Sequence, residues 1–381
     1  MLSRIQVRAL VIAFVVGTTA GCASTLSSTR SSPADVGAAI DSGQLGDAPY
    51  RVEIPESWNG ELVMLLHGYE PRGVPRESPW PQNDASPIFL SQGYAVAESA
   101  YTSQGWSVRD ALPDNEQLRS YFADKHAEPN RTYLVGFSLG GHIALASLEK
   151  YGERYDGALS LCGVNVPTSI AFEEGILTSL VSFDYFFPGA MGLAPGGLSD
   201  PASPPMLDPE AIEAVLAGNE AAATILVNRL EIPRAGLAGA LMLNYMVLRE
   251  AQTRSDGFPA DNMAVSYVGF GDDAAFNRGV RRYAGDRRAL GSLAGIADLT
   301  GHFDKPVVIQ SNNNDPTVPK RFESIYPALA FAADPAAPLV SLPSVGEGHC
   351  DFTPDQIQAA FGTLTHWVKS GTRPDSLQTG R

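Results

Sequence analysis

The sequence is poor in cysteine and in basic residues. Its 381 residues include three cysteines, and 27 Lys and Arg stand against 42 Asp and Glu, which gives a formal net charge of −15. A surface of that sign repels nucleic acid and anionic lipid headgroups, so we expect no nucleic-acid partner. The chain also lacks a CxxC pair and a His-rich tract. Nothing in the sequence therefore indicates a metal site, and we expect no cofactor.

A long apolar run occurs only near the start of the chain. Residues 1–21 combine Arg4 and Arg8 with an apolar segment of roughly a dozen residues, as in a secretory signal peptide. That segment is too short to span a membrane comfortably. The sequence "TAGC", which ends at Cys22, resembles a bacterial lipobox, although Thr19 stands where leucine is usual. We predict an exported protein, either anchored at the cell envelope through a lipid on Cys22 or secreted.

The remaining chain is predicted to contain one α/β core with an insertion. Residues 22–48 begin with many Ser and Thr and predict a flexible tether. Short apolar runs alternate with amphipathic stretches over residues 49–163 and 304–373, which is typical of a parallel sheet covered by helices. Residues 164–303 break this alternation and predict a mainly helical insertion, and residues 374–381 a C-terminal tail. The predicted strands are 61–67, 93–101, 132–137, 157–163, 306–311 and 338–343, and the predicted core helices are 115–127, 139–151, 321–333 and 353–371.

A serine flanked by glycines follows one of these strands. "GFSLG" at residues 136–140 matches G-x-S-x-G and stands between a predicted strand and a predicted helix. Glycines two residues either side of Ser138 allow a sharp turn without a clashing Cβ, so the hydroxyl would project from the sheet edge. The N–H of Leu139 would then point at the atom that Ser138 attacks. The alternative is an ordinary turn, because glycine and serine are common in turns.

A serine nucleophile needs a base and an acid that orients the base. His349 lies in a glycine-punctuated loop after the last predicted strand, where the chain returns beside Ser138. Asp315 follows the strand at 306–311 and gives the chain order Ser, Asp, His. Asp351 is too close to His349 to reach its Nδ1 easily. The less suitable candidates precede the serine strand, lie in predicted helices or belong to the insertion and its end: His126, His142, His302, His366, Asp272, Asp273 and Asp304.

The first core strand ends in a sequence suited to an oxyanion hole. "LLHGYE" at residues 65–70 places Gly68 after His67. The backbone N–H of Tyr69, which follows that glycine, can point at the same place as the N–H of Leu139. A simple turn held by His67 is compatible with this role.

These motifs together resemble the α/β-hydrolase family, in its esterase and lipase branches. His67-Gly68-Tyr69, the elbow at residues 136–141, Asp315 and Gly348-His349 occur in that family's order. The resemblance implies a nucleophile at Ser138, a base at His349, an orienting acid at Asp315, and an oxyanion hole formed by the N–H groups of Tyr69 and Leu139. It also implies a lid formed by residues 164–303. The expected reaction is cleavage of a small carboxylic ester through an acyl-enzyme.

Two cysteines remain after Cys22. In an exported protein, Cys162 and Cys350 favour a disulfide, although the sequence does not show that they meet. The pair His349-Cys350 is similar to one in tannase and feruloyl-esterase relatives, where that cysteine is bonded to a cysteine beside the serine. Phe137 stands beside the serine here. The resemblance implies that Cys162 replaces the missing partner.

Three points stay open from sequence. "SLGG" also resembles the prolyl-oligopeptidase branch, and a carboxylate at Glu173 or Glu174 that binds a substrate amine would favour an aminopeptidase. A binding lipoprotein that keeps the fold without activity is an alternative from another class. Finally, aromatic residues of the insertion are candidates for an acyl pocket, although such clusters are more often core; they are Phe183, Tyr185 and Phe186.

Overall fold

The computed structural model describes residues 37–295 and 298–374. The predicted signal peptide, Cys22 with its lipid anchor, and residues 375–381 of the predicted tail lie outside the described residues. Among the described helices, none has both the length and the apolar character needed to cross a bilayer.

A single sheet of eight strands forms the centre of the fold, in the order β1-β2-β4-β3-β5-β6-β7-β8. The strands β1 and β2 pair antiparallel, as do β2 and β4, and every other neighbouring pair is parallel. This agrees with the predicted mostly parallel sheet. The strands are β1 Ala39–Leu45, β2 Ala48–Ile54, β3 Glu61–Leu66, β4 Ala95–Ser99, β5 Arg131–Phe137, β6 Gly157–Leu161, β7 Val307–Gln310 and β8 Leu339–Ser341.

The central strands are buried on both faces. Every residue of β3, β4, β6 and β7 is buried, which explains why these strands appear in the sequence as continuous apolar runs. The edge strand β1 has no fully buried residue and is polar. The tether predicted for residues 22–48 is therefore too long, because Ala39–Leu45 belongs to the sheet.

Helices cover both faces of the sheet. The first face carries α2, α3 and α11, whereas α1 and α12 cover the second. Thr353 caps α12 in a capping box with Gln356, as the Thr-Pro start of that helix favours. These helices are α1 Ser86–Leu90, α2 Val108–Lys125, α3 Leu139–Tyr151, α11 Ile325–Ala333 and α12 Pro354–Ser370.

The chain between β6 and β7 forms the predicted mainly helical insertion. It begins with α4 and continues without a break through a π-helical segment, Ala171–Leu177, into α5. The aromatic cluster at residues 182–189 lies mostly within α5. The insertion helices are α4 Thr168–Ile170, α5 Thr178–Phe186, α6 Pro209–Ala217, α7 Glu220–Leu230, α8 Leu237–Ser255, α9 Asp273–Gly279 and α10 Arg287–Ala294.

Four sequence-predicted residues follow the carboxyl ends of parallel strands. Ser138 follows β5, Cys162 follows β6, Asp315 lies in the loop after β7, and His349 lies in the loop after β8. Because parallel strands end at the same edge of a sheet, the topology gathers these residues at one place.

Candidate active site

Ser138 occupies a strained turn between β5 and α3. Its φ of 55° lies in the left-handed region that non-glycine residues seldom adopt. The Ser138 N–H donates to the carbonyl of Leu161 at 3.1 Å, and its own carbonyl accepts from Gly141 and Val164. These bonds to β6 and to the chain after it hold the turn in place, so the hydroxyl stands clear of the strand.

The glycines around Ser138 are required by close packing. A Cβ at Gly136 would clash with the carbonyl of Gly140, and a Cβ at Gly140 would clash with the carbonyl oxygen of Leu66 at the end of β3. Backbone atoms on both sides leave no room for adjustment. The prediction that these glycines let the chain turn without a clashing Cβ is confirmed.

Ser138, His349 and Asp315 form a continuous chain of hydrogen bonds. The Oγ of Ser138 lies 2.8 Å from Nε2 of His349, and Nδ1 of His349 lies 2.8 Å from Oδ2 of Asp315. With the proton on Nδ1, the imidazole donates to the carboxylate and accepts the serine hydroxyl. The Asp315 side chain is 3% exposed and the His349 side chain 24%, so the acid is shielded and the base is open to a ligand.

The carboxylate of Asp315 is itself held by the backbone. Its Oδ1 accepts the N–H groups of Thr317 at 2.7 Å and Val318 at 2.9 Å, which leaves Oδ2 for His349. The sequence reasoning missed these two positioning groups. The signal was available, because Asp followed by Pro is typical of a turn in which the carboxylate bonds to backbone N–H groups two and three residues on.

The predicted oxyanion loop touches the nucleophile directly. A Cβ at Gly68 would lie 3.1 Å from the Cβ of Ser138, so this loop and the serine are in contact. Tyr69 follows Gly68, and Leu139 begins α3, where N–H groups have no acceptor within the helix. His67 is buried, donates from Nδ1 to the carbonyl of Gly68 at 2.9 Å and stacks on Tyr101 at 4.1 Å. Burial lowers the pKa of His67, which suits a neutral structural ring.

An ion-pair network fixes the far side of that loop. Glu70 accepts two hydrogen bonds from Nε of Arg76 and forms an ion pair with its Nη2 at 2.6 Å. The carbonyl of Glu70 accepts the N–H of Gly105 at 2.8 Å, and Gln104 donates to its carboxylate. The oxyanion loop is therefore attached to the loop after β4.

The insertion contacts the loop after β4 through α8. Glu250, which is 7% exposed, accepts the N–H of Trp106 at 2.9 Å and pairs with Arg254 at 2.7 Å. A Cβ at Gly105 would clash with the Glu250 carboxyl group, so the backbone and the carboxylate are in direct contact. The hydroxyl of Tyr69 is buried and has no hydrogen-bond partner among the residues that the structure describes, and burial, with the charge of Glu250, raises its pKa. No sequence signal links Glu250 to this loop, which lies about 145 residues earlier in the chain.

A disulfide joins the end of β6 to the loop after β8. Cys162 and Cys350 are bonded to each other, with Cα atoms 5.3 Å apart. Cys162 comes immediately after β6, and Cys350 is adjacent to His349. The bond ties the loop that carries His349 to the strand beside Ser138.

The three predicted acyl-pocket aromatics pack inside the insertion. Phe183 is fully buried, and its ring lies 5.2 Å from Phe187. The rings of Tyr185 and Phe186 lie 4.7 Å and 5.8 Å from that of Phe276. In the part of the chain that the structure describes, their ring contacts are with other aromatic rings of the insertion. Phe183 is therefore a core residue, and Tyr185 and Phe186 are half-buried against the core of the insertion, so none of these contacts supports the acyl-pocket assignment.

Other histidines have partners away from Ser138 Oγ. The Nε2 of His126 lies 3.1 Å from Asp41, and the fully buried His142 bonds through Nδ1 to the carbonyl of Val164 at 3.1 Å. The two carboxylates that the sequence offers for binding a substrate amine have different surroundings. Glu174 lies 4.0 Å from Arg229, whereas Glu173 lines a cavity.

Comparison with known proteins gives similarities of limited extent. No family model matches the chain. An o-phthalyl amidase of Xanthobacter agilis is 28% identical over 128 residues, which are 31% of this chain and 26% of that protein. The chain therefore aligns with about a quarter of the length of this relative.

Solved structures with related architecture cover most of the chain. E-2-(acetamidomethylene)succinate hydrolase is 17% identical at a TM-score of 0.40, over 86% of this chain and 99% of its own. An esterase of Pyrococcus furiosus is 12% identical at a TM-score of 0.43, over 87% of this chain and 92% of its own. A puromycin hydrolase is 14% identical at a TM-score of 0.46, over 90% of this chain and 41% of its own.

The fold itself follows from the topology of the described residues. Six neighbouring strands of the sheet run parallel, in the order β4, β3, β5, β6, β7 and β8. At one edge, β2 extends the sheet in the antiparallel direction. A serine in a strained strand-to-helix turn follows β5, and the loops after β7 and β8 return beside it. With this strand order and this elbow, the chain has the α/β-hydrolase fold.

Proposed function

We propose that this protein is a serine hydrolase that cleaves carboxylic esters through an acyl-enzyme. One observation carries the proposal: Ser138 Oγ, His349 and Asp315 are linked by two hydrogen bonds of 2.8 Å, at the carboxyl edge of the sheet. A serine hydroxyl becomes an effective nucleophile when a base within hydrogen-bond distance accepts its proton.

In the proposed acylation, Oγ of Ser138 attacks the ester carbonyl while its proton moves to Nε2 of His349. Asp315 keeps the proton on Nδ1 and stabilises the imidazolium that forms. The N–H groups of Tyr69 and Leu139 are the proposed donors to the carbonyl oxygen as it becomes negative. Collapse of the tetrahedral intermediate breaks the C–O bond, and His349 returns the proton to the leaving alcohol.

In the proposed deacylation, water takes the place of the alcohol. Nε2 of His349 accepts a proton from the water, whose oxygen attacks the acyl carbonyl. Collapse of the second tetrahedral intermediate releases the carboxylic acid and returns the proton to Ser138. Every step uses side chains and backbone groups of this chain alone.

Export of the protein is part of the proposal. The N-terminal segment has the pattern of a signal peptide followed by a lipobox-like cysteine, Cys22. A disulfide between Cys162 and Cys350 suits an oxidising compartment. Membrane contact would then come from a lipid on Cys22, and secretion without a lipid is the alternative.

Amide cleavage is the second candidate function. It is favoured by the partial sequence similarity to an o-phthalyl amidase, and the same triad chemistry serves amides when the leaving amine takes the proton. Serine peptidases of this fold are the related alternative. A panel of matched p-nitrophenyl esters and p-nitroanilides would rank the two activities by kcat/KM.

The direct test replaces the proposed nucleophile. Ser138→Ala should lower turnover of p-nitrophenyl acetate or butyrate by at least about 10⁴-fold, because the attacking oxygen is gone. Ser91→Ala, which removes an exposed hydroxyl of α1's C-terminal turn, is the matched control and should keep wild-type turnover. Circular dichroism checks that both variants fold.

Labelling distinguishes an enzyme from a silent binding protein. A fluorophosphonate probe should label the wild-type protein and Ser91→Ala but not Ser138→Ala, since it reacts with activated serines. Full turnover in Ser138→Ala would overturn the assignment of the nucleophile. A wild-type protein that neither reacts with the probe nor hydrolyses the panel would favour the binding lipoprotein.

A further inference from the structure

A second concave site lies in the insertion. It is a cavity of about 260 Å³ formed by α4 and the π-helical segment on one side and by α10 on the other. Its lining is Thr168, Ser169, Glu173, Pro259, Leu290, Gly291 and Leu293. An apolar cavity of about 150 Å³ accommodates benzene, so this one has room for a ring with a short polar chain.

Thr168 closes one wall of the cavity. It is 1% exposed, and its Oγ1, which has no hydrogen-bond partner among the described residues, is buried away from solvent and therefore from the cavity as well. Its N–H donates to Asp298 at 2.6 Å. The charged group that remains to recognise a ligand is Glu173.

Glu173 is the charged group of the cavity. Among the described residues, no Lys or Arg forms an ion pair with its carboxylate, whereas its neighbour Glu174 lies 4.0 Å from Arg229. Burial raises the pKa of Glu173, and the nearby charges of Asp261 and Glu174 add to the effect. A carboxylate that is half-buried beside other negative charges is stabilised by a cation.

The backbone at Glu173 is also unusual. Residues Ala171–Leu177 are π-helical, and the carbonyl of Glu173 accepts both the N–H and the hydroxyl of Thr178. Such segments are rare and are frequent at functional sites, because they redirect a side chain away from its regular helical position. Here the redirected stretch carries the carboxylate that lines the cavity.

We propose that this cavity binds a protonated amine carried on an apolar body. The ammonium would donate to the Glu173 carboxylate, which supplies both the charge and the acceptor oxygens. The apolar body would pack on Pro259, Leu290 and Leu293. The net charge of −15 favours the approach of such a cation.

The amine has two potential sources, a free amine or a substrate. The N–H of Val164 donates to the Ser138 carbonyl at 3.1 Å, and Thr168 follows four residues later. Four residues span at most about 14 Å, so this wall of the cavity is less than about 20 Å from the Ser138 carbonyl. The binding itself does not depend on the proposed hydrolysis.

Calorimetry with two shape-matched probes tests the binding. Phenethylamine should bind the wild-type protein at least tenfold more tightly than 2-phenylethanol at pH 8, because only the amine carries a charge. Glu173→Gln should weaken phenethylamine binding at least tenfold. Glu174→Gln removes the same charge one residue away and should change it less than twofold. The same titrations in Ser138→Ala should be unchanged, so binding is read independently of catalysis.

Two results would overturn the proposal. One is equal weakening by Glu173→Gln and Glu174→Gln, which would reflect net charge alone. The other is equal affinity of the wild-type protein for the amine and the alcohol. Circular dichroism of each variant checks that it is folded.

Kinetics then identify the source of the amine. If it belongs to a substrate, a p-nitrophenyl ester of an ω-amino acid, in the series from 6-aminohexanoate to 12-aminododecanoate, should exceed the matched alkanoate ester in kcat/KM, and Glu173→Gln should remove the preference while Glu174→Gln keeps it. If the wild-type protein shows no such preference but binds phenethylamine through Glu173, the ligand is a free amine. Both results support the site and differ only in its occupant.

Discussion

At the residue scale, the proposed mechanism depends on the tautomer of His349. Asp315 accepts from Nδ1 and so leaves Nε2 free to accept the serine proton. Two backbone N–H groups fix the other carboxylate oxygen, so the orientation of the acid is set before a substrate binds.

Asp315→Asn should therefore lower kcat/KM for an ester by about 10³- to 10⁴-fold. The amide keeps the shape of the acid but can donate to Nδ1 and favour the wrong tautomer. Steady-state kinetics with a p-nitrophenyl ester measures the loss. Asp351→Asn, which changes an exposed acid two residues from His349, should stay within about twofold. A loss below tenfold in Asp315→Asn would contradict the role of Asp315.

A different buried acid should control the pH dependence of stability. Glu98 in β4 is 4% exposed and accepts from Asn83 at 2.9 Å. Burial raises its pKa from the ordinary 4.5 to about 7, and the charge of Glu53 adds to the effect. The folded state thus favours the protonated acid. The stabilisation is complete below pH 4.5 and is lost as the pH rises to about 7.

Glu98→Gln should remove this dependence. From pH 5 to pH 8, the free energy of unfolding of the wild-type protein should fall relative to that of the variant, by roughly 2–3 kcal/mol. Urea denaturation at four pH values measures the difference. Glu153→Gln, at an exposed position, should parallel the wild-type protein. Parallel curves for Glu98→Gln and wild type would mean that Glu98 does not titrate in this range.

At the element scale, α8 links the insertion to the proposed oxyanion loop through the loop after β4. Glu250 and Arg254 on this helix bind the loop that contains Gly105 and Trp106. Gly105 in turn donates to Glu70, one residue after Tyr69. The position of the proposed oxyanion donor, the N–H of Tyr69, therefore depends on a helix that belongs to the insertion.

Glu250→Ala should destabilise the protein by about 3 kcal/mol, because it leaves the Arg254 charge and the Trp106 N–H without their buried partner. Urea denaturation measures the change, and esterase kinetics should show a lower kcat. Glu213→Ala removes an acid of comparable pairing, with Arg234, at 48% exposure, and should change stability little. Equal losses of stability in the two variants would contradict the inference that Glu250 holds the loop after β4 in place.

The sequence allows the core elements to be predicted well and the edges poorly. The helix at 139–151 and the strand at 132–137 are predicted to within one residue of α3 and β5, because apolar runs, glycines and caps coincide there. The polar strand β1 gives no apolar signal, since it forms an edge of the sheet. Within the insertion, which is predicted only as mainly helical, residues 209–230 form two helices, α6 and α7, since Asn219 caps the second.

The candidate site likewise contains residues that the sequence predicts and contacts that it does not. Chain order at strand ends is a local signal, and it is enough to find Ser138, Asp315 and His349. Contacts such as Glu250 with Gly105, or Thr168 with its cavity, depend on how the insertion folds back on the core. No spacing in the sequence encodes that arrangement.

At the scale of the whole molecule, one covalent bond closes a long loop. Cys162 and Cys350 are 188 residues apart in the chain, and the loop between them contains the whole insertion. In the chain-entropy description, closure of a loop of that length stabilises the folded state by up to about 5 kcal/mol.

Cys162→Ala with Cys350→Ala should therefore lower the free energy of unfolding by about 2–5 kcal/mol. It should also lower kcat, since the loop that carries His349 loses its attachment beside Ser138. Urea denaturation and esterase kinetics measure both effects. Dithiothreitol should reproduce them in the wild-type protein and leave the double variant unaffected. A double variant with wild-type kcat would show that packing alone positions the loop.

The same bond changes what a cut in the insertion would do. The segment 193–205, between α5 and α6, contains exposed glycine and proline residues, as protease-sensitive loops do. Ser138 lies before any such cut, and Asp315 and His349 lie after it. The disulfide spans the cut, so the two pieces would stay one molecule, with the nucleophile on one polypeptide and its base on the other.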